Sequence, residues 1–157
     1  MSGGRLVGIA RHARPRGAIE TLDRVPVSAA GGLQGDFRGA VRPGRKPRRQ
    51  VSLIEAESWA AALAELGRTD DPDLPWWVRR ANLLTQGIRL PRQPGAVIEI
   101  GDKLRIEVTT ECDPCSRMEE IATGLKAVLL PDWRGGVLGR VIGDGEIAVG
   151  DGIRISE

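Results

Sequence analysis

The chain has 157 residues, 41% of them hydrophobic and 28% charged, with a formal net charge of +2; this is the balance of one soluble globular domain with a core of ordinary size. No apolar run approaches a bilayer span and the N-terminus carries no signal-peptide block, so a cytoplasmic protein that is not in a membrane is expected. One histidine and two cysteines leave no room for a His-based zinc cluster, and the lack of tyrosine with a single phenylalanine makes a base-stacking platform for nucleic acid hard to assemble.

Arg5-Leu6-Val7-Gly8-Ile9-Ala10 reads as a first strand. A polar loop follows to about Gly17, and His12 within it reads as a surface residue among arginines. Val25 and Val27 flank Pro26, the pattern of a short or edge strand. Gly31-Gly32-Leu33-Gln34-Gly35-Asp36 is a glycine-dense turn. Arg38, Arg42, Arg45, Lys46, Arg48 and Arg49 then fall within a dozen residues, broken by Pro43, Gly44 and Pro47. That run is either a solvated loop or an anion site, because arginine forks suit phosphate, and a phosphate-bearing small molecule fits it better than nucleic acid.

Gln50-Val51-Ser52-Leu53-Ile54 is a strand that runs directly into a helix over Glu55 to Leu66. Ala56, Trp59, Ala60, Leu63 and Leu66 recur there at helical spacing, and Gly67 offers a stop. An Asp- and Pro-rich loop leads to Trp76-Trp77-Val78-Arg79-Arg80-Ala81-Asn82-Leu83. Val97 to Ile100, a Gly101-Asp102 turn and the alternation of Leu104, Ile106 and Val108 make a hairpin. Ile121, Leu125, Val128 and Leu129 are spaced for a second helix, weakened by Gly124. Val137 to Ile142 turns at Gly143-Asp144-Gly145 and returns through Glu146 to Val149 as another hairpin, and Ile153 to Ile155 closes the chain. These elements predict a mainly β (α+β) fold, a compact β-barrel with two or three helices packed on it. No phosphate loop of the dinucleotide or P-loop type occurs. No linker divides the chain, so residues 1–157 form one domain with its core at about 4–155.

Both cysteines lie in Cys112-Asp113-Pro114-Cys115, directly after the strand ending near Thr109. Such a pair can close a redox disulfide, supply half of a zinc site, present one functional thiolate, or simply be buried. A thioredoxin-like motif belongs in a βαβ unit, and the β-meander here speaks against it. No further zinc ligands stand at a recognisable spacing.

Several segments, taken in order, resemble the MOSC domain, the family related to the C-terminal part of molybdenum cofactor sulfurases. They are Gly32-Leu33-Gln34-Gly35-Asp36, Arg49-Gln50-Val51-Ser52-Leu53-Ile54, Arg80-Ala81-Asn82-Leu83 with Thr85-Gln86-Gly87-Ile88, Ile100-Gly101-Asp102, Pro114-Cys115, and Gly145 to Asp151. The resemblance implies a small barrel related to that of pyruvate kinase. It also implies that Cys115 is the key residue, as the molybdenum ligand or as a carrier of persulfide sulfur; Cys112 would be secondary. It directs Arg80 and Asn82 to the phosphate and the pterin edge of molybdopterin, with Arg38 and Arg49 at the anionic part. A histidine that commonly follows the Gly-Asp in the family is absent here, where Phe37 and Arg38 stand. Arg38 can replace anion binding but not proton transfer. Trp76 and Trp77 would wall a pterin pocket or lie in the core. Arg134-Gly135-Gly136 would be a further anion loop or a plain turn.

The chemistry implied is reduction of N-hydroxylated or N-oxide compounds with an external electron donor. The alternatives are sulfur transfer from a pyridoxal-phosphate cysteine desulfurase, with pyridoxal phosphate held only by that partner, and a non-catalytic cofactor-binding protein. A small-molecule substrate is expected, with no nucleic acid and no membrane; the oligomeric state is left open.

Overall fold

The computed structural model describes residues 3–41 and 44–156, so Arg42 and Pro43 of the basic run lie outside the described residues. In chain order come β1 (Gly4–Arg11), β2 (Glu20–Leu22), β3 (Arg24–Ser28), β4 (Gly32–Leu33), β5 (Val51–Glu55) and α1 (Ala56–Glu65). A 3-10 turn (Trp76–Arg79), β6 (Leu83–Gln86), β7 (Val97–Ile100), β8 (Leu104–Glu111), α2 (Ser116–Ile121) and α3 (Leu125–Leu129) follow. A second 3-10 turn (Pro131–Trp133) leads to β9 (Val137–Gly143), β10 (Gly145–Ala148) and β11 (Gly152–Ser156).

Seven strands close into a barrel in the order β1-β11-β7-β8-β9-β5-β6. Closure comes from β1, which pairs with β6 along one side and with β11 through Gly4 opposite Ile153. β5 and β6 run parallel, with Leu53 opposite Leu83. A parallel pair needs a crossover, and α1 is that crossover. β10, β3 and β4 form a separate small sheet.

The sequence of β5 explains its central place. Leu53 points into the barrel core with Leu6, Leu83, Ile98 and Ile106, whereas Ile54 points outward to Trp59, Leu63, Met118 and Leu125. A strand covered on both faces reads as a continuous apolar run rather than an alternation. Outside the barrel, α1, α2 and α3 pack around Trp59, which is 6% exposed and donates Nε1–H to the Leu74 carbonyl. On α1, Ala62 is buried where Ala60 was expected; Ala60 faces solvent.

The barrel and the β7–β8 hairpin, with Ile98 opposite Ile106, agree with the sequence reading. Two expectations are corrected. The second helix is two short ones, because Gly124 at φ 89° breaks it between Ala122 and Leu125. β9 and β10 do not pair as a hairpin: β9 lies between β8 and β5, and β10 crosses to β3. β3 is short, as expected, and lies between β10 and β4, where Pro26 is tolerated because β4 pairs only with Val27 and Ser28. No helix among the described residues is long and apolar enough to cross a membrane.

Candidate functional site

Five stretches of chain meet at one end of the β1–β6–β5 seam and enclose a cleft of about 360 Å³. They are the exit of β1 (His12), the turn after β4 (Asp36 to Arg38), β5 with its lead-in (Arg49, Ser52), the 3-10 turn and entry to β6 (Arg79 to Asn82), and the segment from Cys112 to Met118.

Asn82 fixes the seam. It is 4% exposed; its Oδ1 accepts from the Ser52 amide at 3.0 Å and the Ser52 hydroxyl at 3.2 Å, and its Nδ2 donates to the Ala10 carbonyl at 3.1 Å. One amide thus joins β5, β6 and β1, and the Arg80 backbone just before it takes the left-handed conformation, φ 68°. That turn aims Arg79 and Arg80 to different places. Arg79 is buried and donates through Nη2 to the carbonyls of Cys112 and Gly135 at 2.8 and 3.0 Å and to Cys112 Sγ at 3.2 Å. Arg80 stays in the cleft, tethered by one bond to the Gly17 carbonyl at 2.9 Å.

The two cysteines differ in setting. Both are free thiols; Cys112 is buried and Cys115 is exposed. Cys112 ends β8's hydrogen bonding, with its amide donating to Gly136 at 2.8 Å. Pro114, buried, carries the chain out to Cys115 at the start of α2, where its backbone carbonyl accepts the Met118 amide at 2.9 Å. Cys115 therefore opens onto the cleft with its sulfur accessible.

Charge in the cleft is one-sided. Arg16, Arg38, Arg49, Arg79, Arg80 and Arg117 line it against a single carboxylate, Asp36. Burial first, then repulsion from Arg117, Arg16 and Arg38, holds Arg80 below the ordinary arginine range, with Asp36 opposing. The Nε atoms of Arg79 and Arg117 are buried and have no hydrogen-bond partner. Buried donors normally find acceptors, so the cleft presents unused cationic donors to an anion.

His12 is 6% exposed, which corrects its reading as a surface residue. Its ring packs on Phe37, centroids 4.7 Å apart, and its Nδ1 lies 3.7 Å from Asp36 Oδ1. Asp36 in turn accepts the His12 and Arg38 amides, at 3.1 and 3.3 Å. Burial, then Arg80, lowers the His12 pKa; Asp36 raises it by less, and Arg38 and Arg117 lower it further.

A family model, the MOSC domain, matches residues 40–154. The chain belongs to the MOSC domain family. YuaD from Bacillus subtilis, a solved structure, is similar at 19% identity and TM-score 0.77, covering 99% of this chain and 96% of that one. YiiM from Geobacillus stearothermophilus is similar at 16% identity and TM-score 0.70, covering 98% of this chain and 75% of that one. YiiM from Escherichia coli gives 16% identity and TM-score 0.68, with 98% and 70% covered. No curated protein matches the chain by sequence.

The MOSC cleft gathers all five residues expected from sequence, Cys115, Arg80, Asn82, Arg38 and Arg49, onto one set of walls. Asn82 differs from the rest: its Oδ1 and one Nδ2 bond join the seam that also positions Arg80. Trp76 and Trp77 do not line the cleft; Trp76 packs with the helix-side core. Arg134-Gly135-Gly136 is a plain turn whose Gly135 carbonyl serves Arg79. Sequence reasoning missed Arg79, Arg117, Asp36 and His12 as cleft residues. Arg117, two residues past Cys115, could have been found from that spacing; a buried Arg79 carries no local mark.

Proposed function

We propose that this MOSC protein binds molybdenum cofactor in the arginine cleft, with Cys115 as the protein ligand to molybdenum, and acts as an oxidoreductase on N-hydroxylated or N-oxide compounds. The observation that carries the proposal is the exposed Cys115 thiol on a cleft walled by six arginines and one carboxylate. The residues suit such a group. A thiolate is a soft ligand for a metal, and Arg80, Arg117, Arg38 and Arg49 offer forks to a phosphate. Among the described residues no group of three or more His, Cys, Asp or Glu is placed to hold a metal ion. A metal in the cleft would thus rest on Cys115 and on its own organic chelate.

When bound, the cofactor supplies two-electron oxygen-atom chemistry, and an external donor provides the electrons. The chain's own part is to bind and orient: Arg80 and Arg117 neutralise the anion, Asn82 holds the seam that aims Arg80, and Asp36 with the Arg38 amide fixes the opposite wall.

The accessibility of Cys115 also favours a second reading, sulfur carriage. There the Cys115 thiolate attacks the outer sulfur of a partner's persulfide. A new S–S bond forms, the partner's S–S bond breaks, and the partner leaves as a thiolate with no net oxidation. The partner would be a cysteine desulfurase carrying pyridoxal phosphate.

Metal and pterin analysis of protein made in a molybdopterin-competent host tests the first reading. Molybdenum and pterin should co-purify with wild type and be lost from Cys115→Ala, while Cys112→Ala keeps most of both. Neither species on wild-type protein with Cys115 intact and reduced would sink it. A sulfur adduct on Cys115 by intact mass, after incubation with a desulfurase and cysteine, would then select sulfur carriage.

A further inference from the structure

The cleft continues past Arg38 and Arg49. These two residues and Phe37 also line an adjoining groove of about 650 Å³, whose outer wall is Arg45, Lys46 and Arg48. No carboxylate lines this groove, and the sequence from Phe37 to Ile54 contains neither Asp nor Glu. Among the described residues no ion pair engages Arg38, Arg45, Lys46, Arg48 or Arg49. Exposed cations of this density repel one another unless a counter-ion sits among them.

The groove has a fixed floor. Gln50 is 1% exposed; its Nε2 donates to the carbonyls of Ala29 and Gly39 at 2.9 and 3.0 Å, and its Oε1 accepts the Val141 amide at 2.8 Å. The Thr109 hydroxyl donates to the Arg48 carbonyl from β8. Backbone on both sides of Arg49 is therefore pinned to the barrel, while the charged heads stay free. At the junction the Arg38 guanidinium lies 4.9 Å over the Phe37 ring, which holds it between the two cavities.

We propose that cleft and groove form one site for a diphosphate ester. The inner phosphoryl lies at Arg80 and Arg117, the outer one at Arg45, Lys46 and Arg48, and Arg38 and Arg49 bridge them. The charge distribution selects this class, since a lone phosphate needs only the inner arginines. This inference rests on the reading of the cleft as an anion site.

Binding of inorganic phosphate, pyrophosphate, AMP and ADP, followed by calorimetry on the full chain, tests it. Pyrophosphate should bind at least about tenfold more tightly than phosphate, ~1.4 kcal/mol, and ADP should exceed AMP by a similar factor. The triple variant Arg45→Gln, Lys46→Gln, Arg48→Gln, all at exposed positions, should lose that preference and keep its phosphate affinity. Equal binding of phosphate and pyrophosphate, or a preference that survives the triple variant, overturns the proposal. If phosphate binds and Arg117→Gln abolishes it, the cleft reading stands even when the groove fails; if no phosphate species binds, the cleft reading falls with it. An oligothymidylate that binds more tightly than ADP, with a steep salt slope, would overturn the diphosphate in favour of nucleic acid.

Discussion

Asn82 makes three side-chain hydrogen bonds inside the protein, so its removal should register first as lost stability. Asn82→Ala leaves the Ala10 carbonyl and the Ser52 amide unpaired and should cost about 1–3 kcal/mol. A urea midpoint that falls with an unchanged slope would show this; an unshifted midpoint would mean water replaces the amide at no cost. His12 makes the second residue-scale case. Unfolded, its ring takes up a proton near its ordinary 6.5. Folded, burial and the Arg80 charge delay that uptake to lower pH. The unfolded chain therefore binds more protons in the interval, and stability falls as pH drops through it. The midpoint of thermal unfolding should decline from about pH 7 to about pH 5 more steeply in wild type than in His12→Gln; parallel curves would exclude the linkage. His12 was illegible in sequence because Arg11, Ala13 and Arg14 around it are polar or exposed. Its burial is imposed by Phe37 and Asp36, which arrive from a distant turn. The place of Cys115 follows from local chain, since buried Pro114 carries it out from the end of β8, whereas its choice over Cys112 came from the resemblance to the MOSC domain.

Among the elements, the turn before β9 bears most directly on the site. Gly136 holds φ 96°, and a Cβ there would lie 2.0 Å from the Leu53 carbonyl oxygen. The turn also presents the Gly135 carbonyl to Arg79 and the Gly136 carbonyl to Cys112. Gly136→Ala should therefore destabilise the protein by at least about 2 kcal/mol, and should do so together with a shift in the reactivity of the buried Cys112 toward a thiol reagent. Retained stability with an unreactive Cys112 would show that the turn can relax independently of the cleft. Periodicity explains which elements could be read in advance. The β7–β8 hairpin was plain because alternation and a three-residue Gly101-Asp102-Lys103 turn act over a short span. The β9–β10 pairing was misread because alternation shows a strand's faces and not its neighbours. At Gly143–Gly145 the chain leaves the barrel for β3, a choice made by residues far away in sequence.

For the whole molecule, a net charge of +2 hides an uneven field, because six arginines face a single carboxylate in the cleft. An anion bound only by the folded state stabilises it by mass action, about 2.7 kcal/mol at a hundred times its dissociation constant. Phosphate should thus raise the unfolding temperature above that in chloride at matched ionic strength. Equal shifts in the two salts would reduce the effect to screening. The closure of the barrel has a separate consequence. β1, built from residues 4–11, has its partner β11 at residues 152–156, so the ring cannot close until two strands from opposite ends of the barrel's sequence meet. Until β11 docks, the facing edges of β1 and β7 are unpaired and able to recruit other chains. A substitution that loosens β11, such as Ile153→Ala at a fully buried position, should therefore send the protein into aggregates, read as the pelleted fraction on expression, and full recovery in the supernatant would show that the open edges are harmless.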